Sequence, residues 1–152
     1  MALDRPVNLF VAGFIGSPAM NLVRGRAAGG RVEAGDLAFD RPGVPDGDVV
    51  VGMRPEALSP RSDGLPSFEF QIEVVEPLGD QVVVHGSARG ATVETGAEEE
   101  DERELRLAAD GPRAPITARF EPGVRLEPGQ RIRLGLPPER VHLFDGQSGV
   151  AI

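Results

Sequence analysis

The chain of 152 residues contains no cysteine, lysine, tryptophan or tyrosine, and only two histidines. Without cysteine there is no disulfide, no thiolate nucleophile and no cysteine-based metal site, which agrees with a cytoplasmic protein. Without lysine there is no P-loop lysine, Schiff-base lysine or Ser-Lys dyad. All sixteen basic residues are arginine. A net charge of −8 with no tyrosine or tryptophan argues against a basic groove with stacking aromatics, so nucleic acid is not an expected partner. No apolar run approaches the length of a membrane-spanning helix. The first residues lack the basic-then-apolar order of a secretory signal. His85 and His142 each interrupt an apolar strand pattern and read as strand residues facing solvent or a partner. No HxH, HExxH, calcium loop, G-x-S-x-G or G-x-G-x-x-G occurs. These absences point away from an enzyme and toward a binding or regulatory module.

The longest apolar stretch lies at the start, over Pro6–Asn21. Val7, Phe10, Val11, Phe14 and Ile15 recur with helical spacing. Asp4 suits the N-cap, Pro6 the first turn, and Gly16-Ser17-Pro18 the stop. The pattern predicts one short helix that must dock, because a helix this short does not stand alone in water. Phe10 and Phe14 are expected against the chain's own strands or a neighbouring copy.

Short strands and turns follow. Arg31–Ala34 and Asp36–Phe39 flank Gly35, and Asp48–Met53 carries the continuous run of a strand buried on both faces. Phe68–Val75 alternates apolar and polar residues and returns through Pro77-Leu78-Gly79-Asp80 as Gln81–His85, a hairpin. Ala91–Glu94, Ile116–Phe120, Arg131–Leu136 and Val141–Phe144 complete the series. Glu127-Pro128-Gly129-Gln130 is a type II turn by composition. The pattern predicts a mainly β fold, a small closed or half-closed barrel. The negative charge is local: Glu94–Glu104 holds seven acids against Arg103. The segment from 94 to 111 reads as an acidic loop.

One motif occurs twice, G-x-x-P-E-x-[apolar], as Gly52-Met53-Arg54-Pro55-Glu56-Ala57-Leu58 and Gly135-Leu136-Pro137-Pro138-Glu139-Arg140-Val141. Each copy follows a strand, stops it with proline and puts a carboxylate at a helical turn.

Four stretches resemble the C-terminal regulatory domain of the ATPase subunit of bacterial carbohydrate ABC importers, the maltose, trehalose and glycerol-3-phosphate type (TOBE or MOP-like). They are Arg5–Asn21, Gly52–Glu56, Val74–Glu76 with Leu78–Asp80, and Gly135–Arg140 with His142–Phe144. The resemblance implies an OB-like barrel over residues 22–152, preceded by a junction helix over 1–21 that follows a nucleotide-binding domain absent from this chain. ATP and magnesium would belong to that domain, and this chain would hold no cofactor and no catalytic residue. It implies a second copy as partner and indirect contact with the membrane subunits. In some members a signalling protein of sugar metabolism is a further partner. The location implied is cytoplasmic, peripheral to the inner face of the plasma membrane. The expected contact residues are Arg54, Pro55 and Glu56, then Leu78, Gly79 and Asp80, then Pro137, Pro138, Glu139 and Arg140. Phe10, Val11, Phe14 and Ile15 would form the junction. The alternative is a small barrel that binds or senses an oxyanion, with Arg131 and Arg133 as its cations.

Overall fold

A computed structural model of the chain describes residues 20–91 and 112–152. The expected helix at Pro6–Ile15 and the acidic loop lie outside the described residues. The chain runs β1 (Asn21–Ala28), β2 (Arg31–Ala34), β3 (Leu37–Asp40) and β4 (Gly47–Met53) into a one-turn 3-10 corner, Pro55–Ala57. Then come β5 (Ser67–Pro77), β6 (Val82–Arg89), β7 (Arg113–Phe120) and β8 (Arg131–Gly135), a second corner at Pro138–Arg140, and β9 (His142–Asp145).

The fold is mainly β, as expected. Among the described residues the strands form two antiparallel sheets, β3-β2-β1-β4-β9 and β7-β6-β5-β8, and not one closed barrel. Each sheet contains the same four-stranded arrangement. Three strands connect in sequence, and the fourth returns beside the first, which is a Greek key. Each key then ends in a Pro-Glu corner. The residues past each corner cross to the other key: His142 pairs with Gly52, and Ser59 pairs with Gly135. The repeated motif is thus the sequence trace of two halves that exchange their ends. Its glycine has one physical reason in both copies. A Cβ on Gly52 would lie 2.5 Å from the Met20 sulfur, and a Cβ on Gly135 would lie 2.8 Å from the Arg61 carbonyl oxygen. Each glycine lets another segment cross its strand.

Residue pattern explains placement. Phe68, Phe70 and Ile72 on β5 point into the core while the alternate residues do not. Val49, Val51 and Met53 on β4 join the main core, and Val50 packs with Met20 and Phe144 in a second cluster on the opposite face. Burial on both faces is why β4 reads as an unbroken apolar run. Past the expected stop of the helix at Gly16-Ser17-Pro18, Met20 is buried and Asn21 opens β1.

β9 ends in a turn held by one carboxylate. Asp145 Oδ1 accepts from the backbone N–H groups of Ser148 and Gln147, both at 2.8 Å. The bond from Ser148, then that from Gln147, holds the Asp145 carboxyl below the usual carboxylate range. The stabilisation from a lowered carboxylate is present above the unfolded-state pKa and fades as pH falls through the folded-state value. Asp145→Asn is therefore expected to be less stable than the parent at neutral pH, with the gap closing in acid. Urea unfolding at pH 7 and pH 3 checks this, and an equal gap at both would contradict it.

Candidate functional site

The two corners have nearly the same backbone. Arg54 and Pro137 precede them in extended conformation at φ/ψ −74/143° and −61/128°. Leu58 and Val141 follow at −81/136° and −83/133°. Leu58 N–H donates to Pro55 O and Val141 N–H to Pro138 O, closing one 3-10 turn each. Proline suits this position because its missing N–H would be unpaired there anyway. Glu56 and Glu139 stand in the first turn, exposed. The carboxylate expected at a helical turn is present in both copies.

Their surroundings differ. Pro55 and Ala57 are buried while no residue of Pro138–Arg140 is, although Leu58 and Val141, which follow the two corners, both enter the core. Pro55 therefore anchors its corner from within. Pro137 and Pro138 are half-buried, and Arg140 is exposed. Arg54 is half-buried, and its Nε and Nη2 are buried with no hydrogen-bond partner among the described residues. Arg41, at the end of β3, braces the second corner: Nη2 donates to Pro138 O at 2.9 Å and to Val141 O at 3.3 Å.

A cleft lies beside each corner. The first, about 530 Å³, is lined by Glu56, Leu58, Ser59, Arg119 and Phe120 among others. The second, about 300 Å³, is lined by Arg41, Glu139, Val141, His142 and Leu143 among others. Glu56, Leu58 and Ser59 occupy in the first the motif positions that Glu139, Val141 and His142 occupy in the second. Among the described residues no cluster of three or more metal-ligating side chains occurs.

Leu78, Gly79 and Asp80 form the exposed tip of the β5–β6 hairpin, where Gly79 takes a φ of 85° and Leu78 is 51% exposed. Val74 on the same hairpin is 49% exposed. The third candidate group is thus an apolar tip flanked by Glu76 and Asp80. His85, on β6, is half-exposed as expected, with Nε2 hydrogen-bonded to Glu76 Oε1 and Nδ1 3.3 Å from Thr117 Oγ1. The two arginines of the oxyanion reading are exposed and engaged by neighbours on β5. Arg131 pairs with Glu69 at 3.3 Å, and Arg133 donates to Ser67 Oγ and O.

Sequence reasoning passed over Asn21. It is buried and its amide links the two sheets. Nδ2 donates to Met53 O at 3.0 Å and to Thr117 O at 2.9 Å, and Thr117 N–H donates to Oδ1 at 2.8 Å. The side chain pairs with the edge of β7 as a backbone peptide would.

The sequence model of the CysA C-terminal regulatory domain matches residues 21–59, which is β1 through the first corner and the crossing residue Ser59. Over those residues the chain is similar to that regulatory domain. Longer matches extend the likeness past these residues. The sulfoquinovosyl glycerol transport ATP-binding protein SmoE of Agrobacterium fabrum is 34% identical, over 93% of this chain and 36% of its own length. The sn-glycerol-3-phosphate import ATP-binding protein UgpC of Cereibacter sphaeroides is 33% identical, over 96% of this chain and 36% of its own. The xylose/arabinose import ATP-binding protein XacK of Haloferax volcanii is 34% identical, over 97% and 36%. The chain thus spans about a third of the length of the curated relatives it matches. Among its described residues no helix is long and apolar enough to cross a membrane.

Proposed function

We propose that this domain is the regulatory part of the ATP-binding subunit of a carbohydrate importer, on the cytoplasmic face of the membrane, and that it tethers two such subunits. Nucleotide and magnesium belong to the ATPase domain of that subunit, and the regulatory domain holds neither. A contact that persists while the ATPase halves open keeps the second half at high effective concentration, so each reassociation is intramolecular. The contact is made by Arg54 and Glu56 at the first corner, Pro137–Arg140 at the second, and the Leu78–Asp80 tip. A signalling protein of sugar metabolism is a second occupant of the same exposed corners.

One observation carries this reading: two corners of nearly the same backbone hold Glu56, Glu139 and Arg140 exposed at the ends of strands, where a partner can reach them. Glu56 and Arg140 supply opposite charges at the corners. Reversing one of them, as Glu56→Arg, is expected to weaken self-association of the full subunit about tenfold, and adding Arg140→Glu is expected to restore part of it. Arg54→Met is expected to weaken it without lowering the unfolding midpoint, because a buried charge is replaced by apolar volume. Sedimentation checks both, and unchanged dimer affinity in the Glu56→Arg and Arg54→Met variants would remove the corners from the interface.

A further inference from the structure

The exchange of ends between the two Greek keys is unequal. Past the second corner, β9 runs the length of four residues beside β4, pairing His142 with Gly52 through Asp145 with Val49. Gly146 N–H extends the ladder to Asp48 O at 2.8 Å. Past the first corner, the matching lane beside β8 is started and then abandoned. Ser59 and Gly135 exchange both backbone bonds, at 2.8 and 2.9 Å, and the next residue is Pro60, which has no N–H to continue.

Two residues of β8 are left facing that lane. In an antiparallel ladder, alternate residues direct their N–H and C=O groups to opposite sides. Gly135 directs its groups away from β5, to Ser59, so Arg133 and Arg131 direct theirs the same way. Neither has a backbone partner on that side among the described residues. The outer edges of β9 and β7 are blunted. Val150 and Ile152 bond back to Asp145 and Leu143 on β9, and on β7 the Asn21 amide takes Thr117 while Pro115 has no N–H to offer.

We propose that the outer edge of β8 is a strand-addition site that receives an extended acidic segment of a partner protein, antiparallel, in the lane that β9 fills beside β4. The fold supplies the template, since its other half already holds a strand of four residues in the equivalent place. The charge selects the occupant. Arg131 and Arg133 are exposed on this edge strand, and Arg61 is exposed beside it. Arginines here repel the same edge of a second copy and favour carboxylates on an incoming strand. The site is independent of the tether: it uses none of the corner or hairpin-tip residues.

A blocked hexapeptide alternating glutamate and valine is the probe, added to the isotopically labelled chain. Amide hydrogen exchange at Arg131 and Arg133 is expected to slow roughly tenfold or more at saturation, whereas the same peptide with lysine for glutamate has no effect. Arg133→Pro removes one outward N–H, keeps the inward bonds of its neighbours and is tolerated at an edge, and it abolishes binding. The double reversal Arg131→Glu with Arg133→Glu transfers the preference to the lysine peptide, and decides the matter if the proline variant does not fold. Equal binding of both peptides, unslowed exchange at the two amides, or protection that grows with protein concentration in the absence of peptide would each overturn the proposal. The last would assign the lane to a second copy.

Discussion

Asn21→Asp is expected to remove about 4 kcal/mol of stability at neutral pH, a large part of what a domain of this size possesses. The exchange replaces a single NH₂ group by oxygen. Nδ2 now donates to two carbonyl oxygens, of Met53 and Thr117, from a buried position. An oxygen there turns both bonds into acceptor–acceptor contacts and brings a charge into a desolvated site. Asn21→Leu removes the charge but leaves Thr117 N–H unpaired, and is expected to cost about 3 kcal/mol. Urea unfolding followed by circular dichroism checks both. A loss below about 1 kcal/mol in the aspartate variant would mean that the sheets do not depend on this link.

Gly86→Val is expected to be the most damaging single change in the strands. Gly86 faces Ile72 on β5, beside the bulge that shifts the register between Ile72 and Val74. A Cβ there would lie 2.0 Å from the Gln71 carbonyl oxygen and 2.7 Å from the Phe70 ring, which is itself fully buried. Backbone on one side and a packed ring on the other leave nothing able to move, so a loss of about 4 kcal/mol or more follows. Even Gly86→Ala meets both contacts. Gly79→Ala is the comparison: it has open space around it and a φ of 85°, and is expected to cost only about 1 kcal/mol. Unfolding midpoints for the three variants test the ranking. A valine variant as stable as the Gly79 variant would show that β5 and β6 do not approach this closely.

Elements whose signal is local were legible. The alternation of β5, the apolar run of β4 and the hairpin turn at Leu78–Asp80 each depend on neighbours in sequence, and each was anticipated. So was the pairing of the two Pro-Glu corners. The repeat reaches further than the motif shows. Ala38-Phe39-Asp40-Arg41-Pro42-Gly43-Val44 across the end of β3 corresponds to Ala118-Arg119-Phe120-Glu121-Pro122-Gly123-Val124 across the end of β7. Gly43 and Gly123 both take positive φ, and Val44 and Val124 both pack on the core. A shift of one residue at the phenylalanine hides this second echo from a motif search. β1 was not anticipated as a strand. Arg24, Gly25 and Arg26 weaken its pattern, and the helical spacing upstream drew the boundary through Asn21. Nothing local marks Asn21 as a core residue, since asparagine there reads as a turn former. Its partner Thr117 is nearly a hundred residues away. Arg54 was legible as a site residue but not as an unpaired buried cation, which depends on how β7 covers the first corner.

The exchange of ends also sets a schedule for synthesis. β4 has its first neighbour, β1, as soon as it leaves the ribosome, but its second, β9, is translated about ninety residues later. At a typical elongation rate that is an interval on the order of ten seconds. Through it the edge running from Asp48 to Gly52, with its three consecutive valines, is bare. A nascent chain in this state is a substrate for chaperones and for pairing with a neighbouring ribosome's product. Slowing translation between residues 60 and 140 should therefore lower the soluble yield more than slowing it before residue 47.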